Sequence, residues 1–270
     1  MNIFLYIIIF IIGTLFGSFC TLAIYRIPRK IDIVSTHSFC PNCGHKLGFF
    51  ELIPVFSYIF LKGRCKKCKK KIRPRYFIIE ALSGITFLLI ALALKIDVFS
   101  LNLNIIIRFS FIALYIPAMF LIAGIDKEHR KVEKGVLYYG FLVSLSYIIY
   151  LCIIGEDSIY RYVMYLTTLM VLLIIDNIKL KKEAKESYLN SNLMLIVIML
   201  INTGEIVTFF TVLVTVLTIG ISKLTFKMKN YLNKSIKINK ELNYNVAYLL
   251  TLSNTILFIW QIFILSYNLL

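Results

Sequence analysis

Apolar stretches of membrane-crossing length dominate this chain and leave it one broad way to fold. They run at about 3–25, 76–94, 105–125, 136–154, 160–176, 190–203, 206–222 and 246–267. A helix needs about 20 residues to cross a hydrocarbon layer about 30 Å thick. That layer offers no partner to a backbone N–H or C=O, so each stretch must satisfy its own backbone as a helix. With 59% of the 270 residues hydrophobic and a mean hydropathy of +0.82, the chain reads as an all-α integral membrane protein of about eight transmembrane helices. The first stretch has no basic leader and no small-residue cleavage site, and Arg26, Arg29 and Lys30 stop it. Residues 1–25 are therefore expected to stay as the first transmembrane helix rather than to be removed as a signal peptide.

The formal net charge of +16 is informative through its placement. Of the 30 Lys and Arg, 27 fall in alternate connections: 13 in 26–75, 4 in 127–134, 4 in 177–189 and 6 in 223–240. Lys95, Arg108 and Arg161 lie near the opposite ends of spans. Such alternation is the positive-inside rule, which puts these four loops in the cytoplasm and both termini outside. The charge therefore encodes topology rather than nucleic-acid binding, and anionic lipid headgroups are the expected partners of most of the lysines. A transporter is disfavoured, because no span carries an evident midplane charge. The stretch 190–203 is short for a crossing, and Thr203, Gly204 and Glu205 break it from the next. A single span over 190–222 would force the six-lysine loop outside, so two spans are expected there.

The connection 26–75 holds the chain's densest chemistry. Cys40 and Cys43 form one C-x-x-C pair, Cys65 and Cys68 a second, with 21 residues between them. That spacing is close to that of four-thiolate zinc sites, and Gly44 and Gly63 flank the pairs as turn residues. Two sulfurs from each pair complete a tetrahedron, in a compartment where thiols stay reduced. The alternative is two pairs of free thiols. A closed set of four cysteines points to structural zinc, whose binding would supply the folding free energy of a loop too polar to build a core. His37 and His45 are read as bystanders, and Cys20 and Cys152, inside apolar stretches, as small buried residues. The expected organisation is helix 1–25, zinc-binding module 26–75 and a polytopic body 76–270.

Four stretches carry a resemblance: "GSFCTLAIYRIP" from Gly17 to Pro28, then "CPNCGHKL", "ELIPVFSYIFLKGRCKKC" and "IRPRYFIIEALSG" ending at Gly84. In order and spacing they resemble the type IV prepilin peptidases, leader peptidases and N-methyltransferases of bacterial inner membranes, with Thr21 where that family usually has Asn. The resemblance implies a membrane aspartyl endopeptidase that removes the basic leader of type IV prepilins at the cytoplasmic face. It also implies possible methylation of the new N-terminus with S-adenosylmethionine, for which the sequence shows no Gly-rich nucleotide loop.

Such chemistry needs two carboxylates, one to accept a water proton and one to donate to the carbonyl oxygen; sharing a site separates their pKa values. In "AGIDKEHRKVEKG", Asp126 matches the family's first aspartate, with Val132 and Glu133 where the family has an aliphatic residue and proline. Its structural alternative is a helix-end acid paired with Lys127 or Arg130. The family's G-x-G-D falls on "SYLNSNLML", where Ser187 and Leu189 replace the glycines and Asn190 the aspartate. Asn cannot hold or release a proton. Asp176, in "LLIIDNIKL", is a possible substitute carboxylate, or else a helix-end acid neutralised by Lys179. Glu51 and Glu80 match family positions and are candidates to meet a basic leader, or to pair within the loop. The competing reading is a catalytically inactive paralogue that binds pilins or scaffolds an assembly.

Overall fold

The computed structural model describes residues 2–99, 102–155, 159–183, 188–232 and 245–267. Its helices in chain order are α1 (Asn2–Arg26), the short α2 (Phe56–Phe60), α3 (Arg75–Ala93), α4 (Leu103–His129), α5 (Lys134–Ile154), α6 (Ile159–Glu183), α7 (Tyr188–Leu232) and α8 (Val246–Tyr267). Among the described residues there is no strand, only two isolated antiparallel bridges between α1 and α3. The all-helical membrane architecture is as expected. Among the described residues, six helices, α1, α3, α4, α5, α7 and α8, are long and apolar enough to cross a bilayer. The expected span 160–176 corresponds to a shorter apolar stretch of α6, Ile159–Leu172. The expected pair 190–203 and 206–222 lies within α7.

The chain divides into two compact units, Met1–Ile125 with Ile259–Leu270, and Asp126–Phe258. In the first, α1 and α3 touch almost backbone to backbone. A Cβ on Gly17 would lie 2.8 Å from the Glu80 Cα and 2.9 Å from the Ser83 Cβ, and one on Gly13 would lie 2.9 Å from the Gly84 Cα. Where lipid is as apolar as the side chains, helices associate through such close packing of small residues four apart. Cys20 is fully buried and its thiol faces the Pro117 carbonyl of α4 at 3.6 Å. Cys152 departs from expectation: it is exposed on α5, because the buried side of that helix carries Ile148 and Leu151.

In the second unit Ile148, Leu151, Tyr162, Leu169, Val197 and Ile201 form the core of α5, α6 and α7. A straight 45-residue α7 would be about 68 Å long, over twice a bilayer's hydrocarbon thickness. It is broken at Gly204, with φ 81° and ψ 175°, a region essentially confined to glycine. The break bends the chain sharply. The Asn254 amide donates to both Thr203 Oγ1 and Thr211 Oγ1 at 3.2 Å, whereas residues eight apart on a straight helix are about 12 Å apart along the axis.

The break also sits deep. Asn202 donates to Ser144 Oγ at 2.7 Å, and Ser144 lies ten residues, about 15 Å, before the end of α5. The two halves of α7 therefore turn inside the helical layer rather than beyond it. Irregular backbone at such depth needs protein partners, and Thr208 supplies one by donating to the Gly204 carbonyl at 2.8 Å. Tyr165 donates to the Glu205 carboxylate beside it. Open space surrounds Gly204, so Gly204→Ala tests the backbone alone. It is expected to destabilise the protein by about 1–3 kcal/mol, read as a lower thermal midpoint in detergent.

Candidate functional site

The loop between α1 and α3 folds as two matched knuckles. In the first, the Cys40 N–H donates to the His45 carbonyl and the Gly44 N–H to the Cys40 carbonyl, both at 2.9 Å; in the second, Cys65 and Lys69 repeat the pattern with Lys70 and Cys65, both at 3.0 Å. Bridges Phe39–Lys46 and Arg64–Lys71 close them. The matching positions Gly44 and Lys69 both take positive φ, 68° and 59°. A left-handed conformation costs an L-residue about 1–2 kcal/mol, so Lys69→Gly is expected to stabilise the second knuckle by about 1 kcal/mol. The check is slower proteolysis of the loop in the variant.

The knuckles bring the four cysteines together. Cys40 and Cys68 Sγ are 4.0 Å apart, as are Cys43 and Cys65 Sγ, and all four lie within 4.8 Å of one another. Sulfurs about 2.3 Å from a tetrahedral zinc would be about 3.8 Å apart, so the set could hold zinc with small shifts. Asn42 supports it by donating to Cys68 Sγ at 3.6 Å while accepting from Lys70 Nζ at 2.6 Å. The Lys70 amide and the surrounding donors hold the Cys68 thiol down to about 6. The His45 amide lowers Cys43, but desolvation and the neighbouring thiols outweigh it and push that group up to about 11. Four sulfurs at this spacing form a donor set that could hold a cation.

His45 is not idle. Its Nε2 lies 3.1 Å from Glu51 Oε2, which also accepts the Gly48 N–H at 2.9 Å. The Gly48 amide first, then His45, hold the Glu51 carboxyl below its ordinary range. Glu80, in α3, is buried and its Oε2 accepts the Val55 N–H at 2.8 Å. Val55 has φ 64°, a strained value for a β-branched residue, and Glu80 helps to hold it. Both glutamates therefore carry loop contacts alongside the leader-binding role expected of them.

The sequence reading missed Arg26, which it took as a topology charge. Arg26 is buried, and its guanidinium donates to the carbonyls of Asp32, Ile33, Thr36 and His37 at 2.8–3.4 Å. One side chain at the end of α1 thereby gathers the strand of loop that leads into the first knuckle. Five donors in a fixed fork suit Arg to this and not Lys. The only sequence signal was its place in "IYRIP", directly before the loop.

In the second unit Asp126 is fully buried near the end of α4. Its Oδ2 accepts the Tyr248 N–H at 2.8 Å, and the Asn245 side-chain amide donates to its carbonyl at 3.0 Å. Tyr248 is the third residue of α8, where helix N–H groups lack intrahelical partners and the helix dipole favours negative charge. Lys127 donates to the Tyr248 hydroxyl at 3.3 Å and lies 4.8 Å from its ring centre. A carboxylate fixed in this way can orient and activate a water without moving itself.

Asn190 is half-buried at the third residue of α7. Two residues on, Asn192 Oδ1 is buried with no hydrogen-bond partner among the described residues, an acceptor that water or a bound peptide N–H would satisfy. Asp176 lies on α6, but its side chain falls outside the described residues, as does Ser187.

Residues 11–94 match the bacterial peptidase A24 N-terminal domain. The chain is 32% identical over 154 residues to a prepilin leader peptidase/N-methyltransferase of Vibrio cholerae, covering 54% of this chain and 57% of that protein. A protein of the same description from Myxococcus xanthus is 40% identical over 79 residues, 29% of this chain and 24% of that one. A type 4 prepilin-like proteins leader peptide-processing enzyme of Escherichia coli is 29% identical over 156 residues, 49% of this chain and 54% of that one. The chain thus spans between about a quarter and just over half of these relatives. No solved structure matches.

Proposed function

For a chain that belongs to the type IV prepilin peptidase family through its N-terminal domain, we propose a prepilin peptidase-like membrane aspartyl endopeptidase built on Asp126. Its substrate is a type IV prepilin, cut between a short basic leader and the apolar segment at the cytoplasmic boundary. The observation that carries this reading is the fully buried Asp126 carboxylate seated on the first turn of α8. Buried acids at membrane helix ends are costly and are kept for function.

Asp126 would take the proton of the attacking water, and a second, protonated carboxyl would donate to the scissile carbonyl oxygen. Asn190 stands where that second group is expected and cannot supply a proton, which makes hydrolysis slow unless Asp176 serves as the substitute carboxylate. Asn190 also favours a second reading, an inactive paralogue that binds pilins or scaffolds pilus or secretion assembly. The four-cysteine centre would hold structural zinc that keeps the loop folded, with no part in the proton transfers. N-methylation with S-adenosylmethionine is included on the names of the relatives alone. The positive-inside pattern supports the zinc loop in the cytoplasm and both termini outside.

The test is loss of the leader from cognate prepilin mixed with membranes carrying the protein. Cleavage is expected from wild type and should fall about 10²–10⁴-fold in Asp126→Ala. A parallel loss in Asp176→Ala identifies the second acid. Prepilin binding with no cleavage by any form rejects the peptidase and selects the paralogue.

A further inference from the structure

The loop between α1 and α3 displays large apolar side chains that neither the metal centre nor the core uses. Phe49, Phe50 and Phe60 are 77%, 79% and 81% exposed, and Phe56 and Ile59 are about half exposed. In water such a cluster is unfavourable, and it marks an interaction surface.

Two contacts fix where this surface stands. On the inner side of α2, Tyr58 stacks on Phe77 with ring centres 5.2 Å apart. Just before α2, the Val55 N–H is bound by Glu80. Phe77 and Glu80 are the third and sixth residues of α3, and α3 itself has 19 residues, about 28 Å, which only just spans the hydrocarbon. The first two turns of α3 therefore lie at the boundary between headgroups and acyl chains. Because α2 is fastened to those turns by Tyr58, its opposite side, Phe56, Ile59 and Phe60, looks outward at the same depth.

The charge beside it is of one sign. A cavity of about 530 Å³ opens where α2 meets the second knuckle, lined by Lys62, Arg64, Lys66 and Lys69 with Phe60, Leu61 and Cys65. No acidic side chain is among its lining residues. Four cations over an apolar floor match one ligand chemistry, a phosphate carried on an acyl-chain body. Aromatic rings at the interface next to lysines are the pattern of interfacial anchoring.

We propose that α2 and its flanking phenylalanines dock the cysteine-rich module onto the bilayer, with an anionic phospholipid headgroup held by Lys62, Arg64, Lys66 and Lys69. Docking fixes the module in the membrane plane as well as at its two covalent ends. The inference rests on α1 and α3 as spans and stands whatever Asp126 does.

The full chain, placed in phosphatidylcholine nanodiscs with and without phosphatidylglycerol, provides the test. Trp260 is the sole tryptophan, so a Trp260→Phe background carrying Phe60→Trp gives one reporter, with Lys67→Trp as the water-exposed control. The Phe60→Trp indole is expected to emit at shorter wavelength than the control and to be quenched by lipids brominated high on the acyl chain. Most of that quenching should be lost when the four cations are changed to Gln or when phosphatidylglycerol is left out. Quenching by aqueous iodide equal to that of the control, in both nanodiscs, overturns the docking. Equal burial with and without phosphatidylglycerol overturns the headgroup site. Proteolysis patterns of each variant, compared with wild type, separate either result from collapse of the loop.

Discussion

Changing Cys65 and Cys68 together to serine is expected to take the purified protein from about one zinc ion per chain to none, and to unfold the loop around 31–72 while leaving the membrane-spanning helices intact. The magnitude follows from what else holds this loop. It has no strand pairing beyond two bridges, and its largest apolar side chains are exposed. Structural zinc in small cysteine modules is worth about 10–16 kcal/mol at neutral pH, a contribution that the loop's own hydrogen bonds do not replace.

The sulfur positions make this specific. All four sulfurs lie within 4.8 Å of one another, and desolvation, with the neighbouring thiols, pushes Cys43 up to about 11. Protons compete with metal for thiolates, so zinc release is expected as pH falls. Metal analysis and limited proteolysis of wild type and the double variant provide the check. A wild type that is metal-free yet protease-resistant across this loop would remove zinc from the account.

Asn190→Asp is expected to raise prepilin cleavage by about 10²–10⁴-fold over wild type, the usual contribution of one positioned general acid or base. The side chains are isosteric, so packing at the start of α7 should be unchanged and only proton-transfer capacity restored. Two carboxylates sharing a site would titrate as a pair, one ionised and one protonated over the working range. The variant should therefore also gain a pH profile with two limbs, where wild type has one. Initial rates across pH, with Asp126→Ala as the background control, decide it. No gain in Asn190→Asp, together with loss in Asp176→Ala, would place the second acid on α6.

The cysteine ligand set was legible because four-thiolate coordination is a spacing rule, and the structure closes the four sulfurs as the spacing required. Asp126 was legible as a polar residue ending an apolar run, although nothing in the sequence pointed to Tyr248, 122 residues away, as its hydrogen-bond partner. Arg26 was misread because positive-inside counting treats every basic residue at a helix end alike. Burial and four carbonyl acceptors separate it from Arg29, and neither is encoded locally. Glu80 likewise became a loop anchor only once Val55 was seen to reach down to it.

Composition and local spacing were enough to establish membrane helices joined by a loop whose four cysteines lie close enough to hold a metal ion. Transfer out of water depends on composition summed over about 20 residues, and knuckle geometry on a few adjacent ones. The turn of α7 at Gly204 inside the helical layer emerged from tertiary packing instead, where the sequence suggested two ordinary crossings. Charge parity reports only the side on which each loop lies and is blind to where along a helix the chain bends. What decides that is which side chains meet at the turn, and Asn254, Ser144 and Tyr165 arrive there from three other helices.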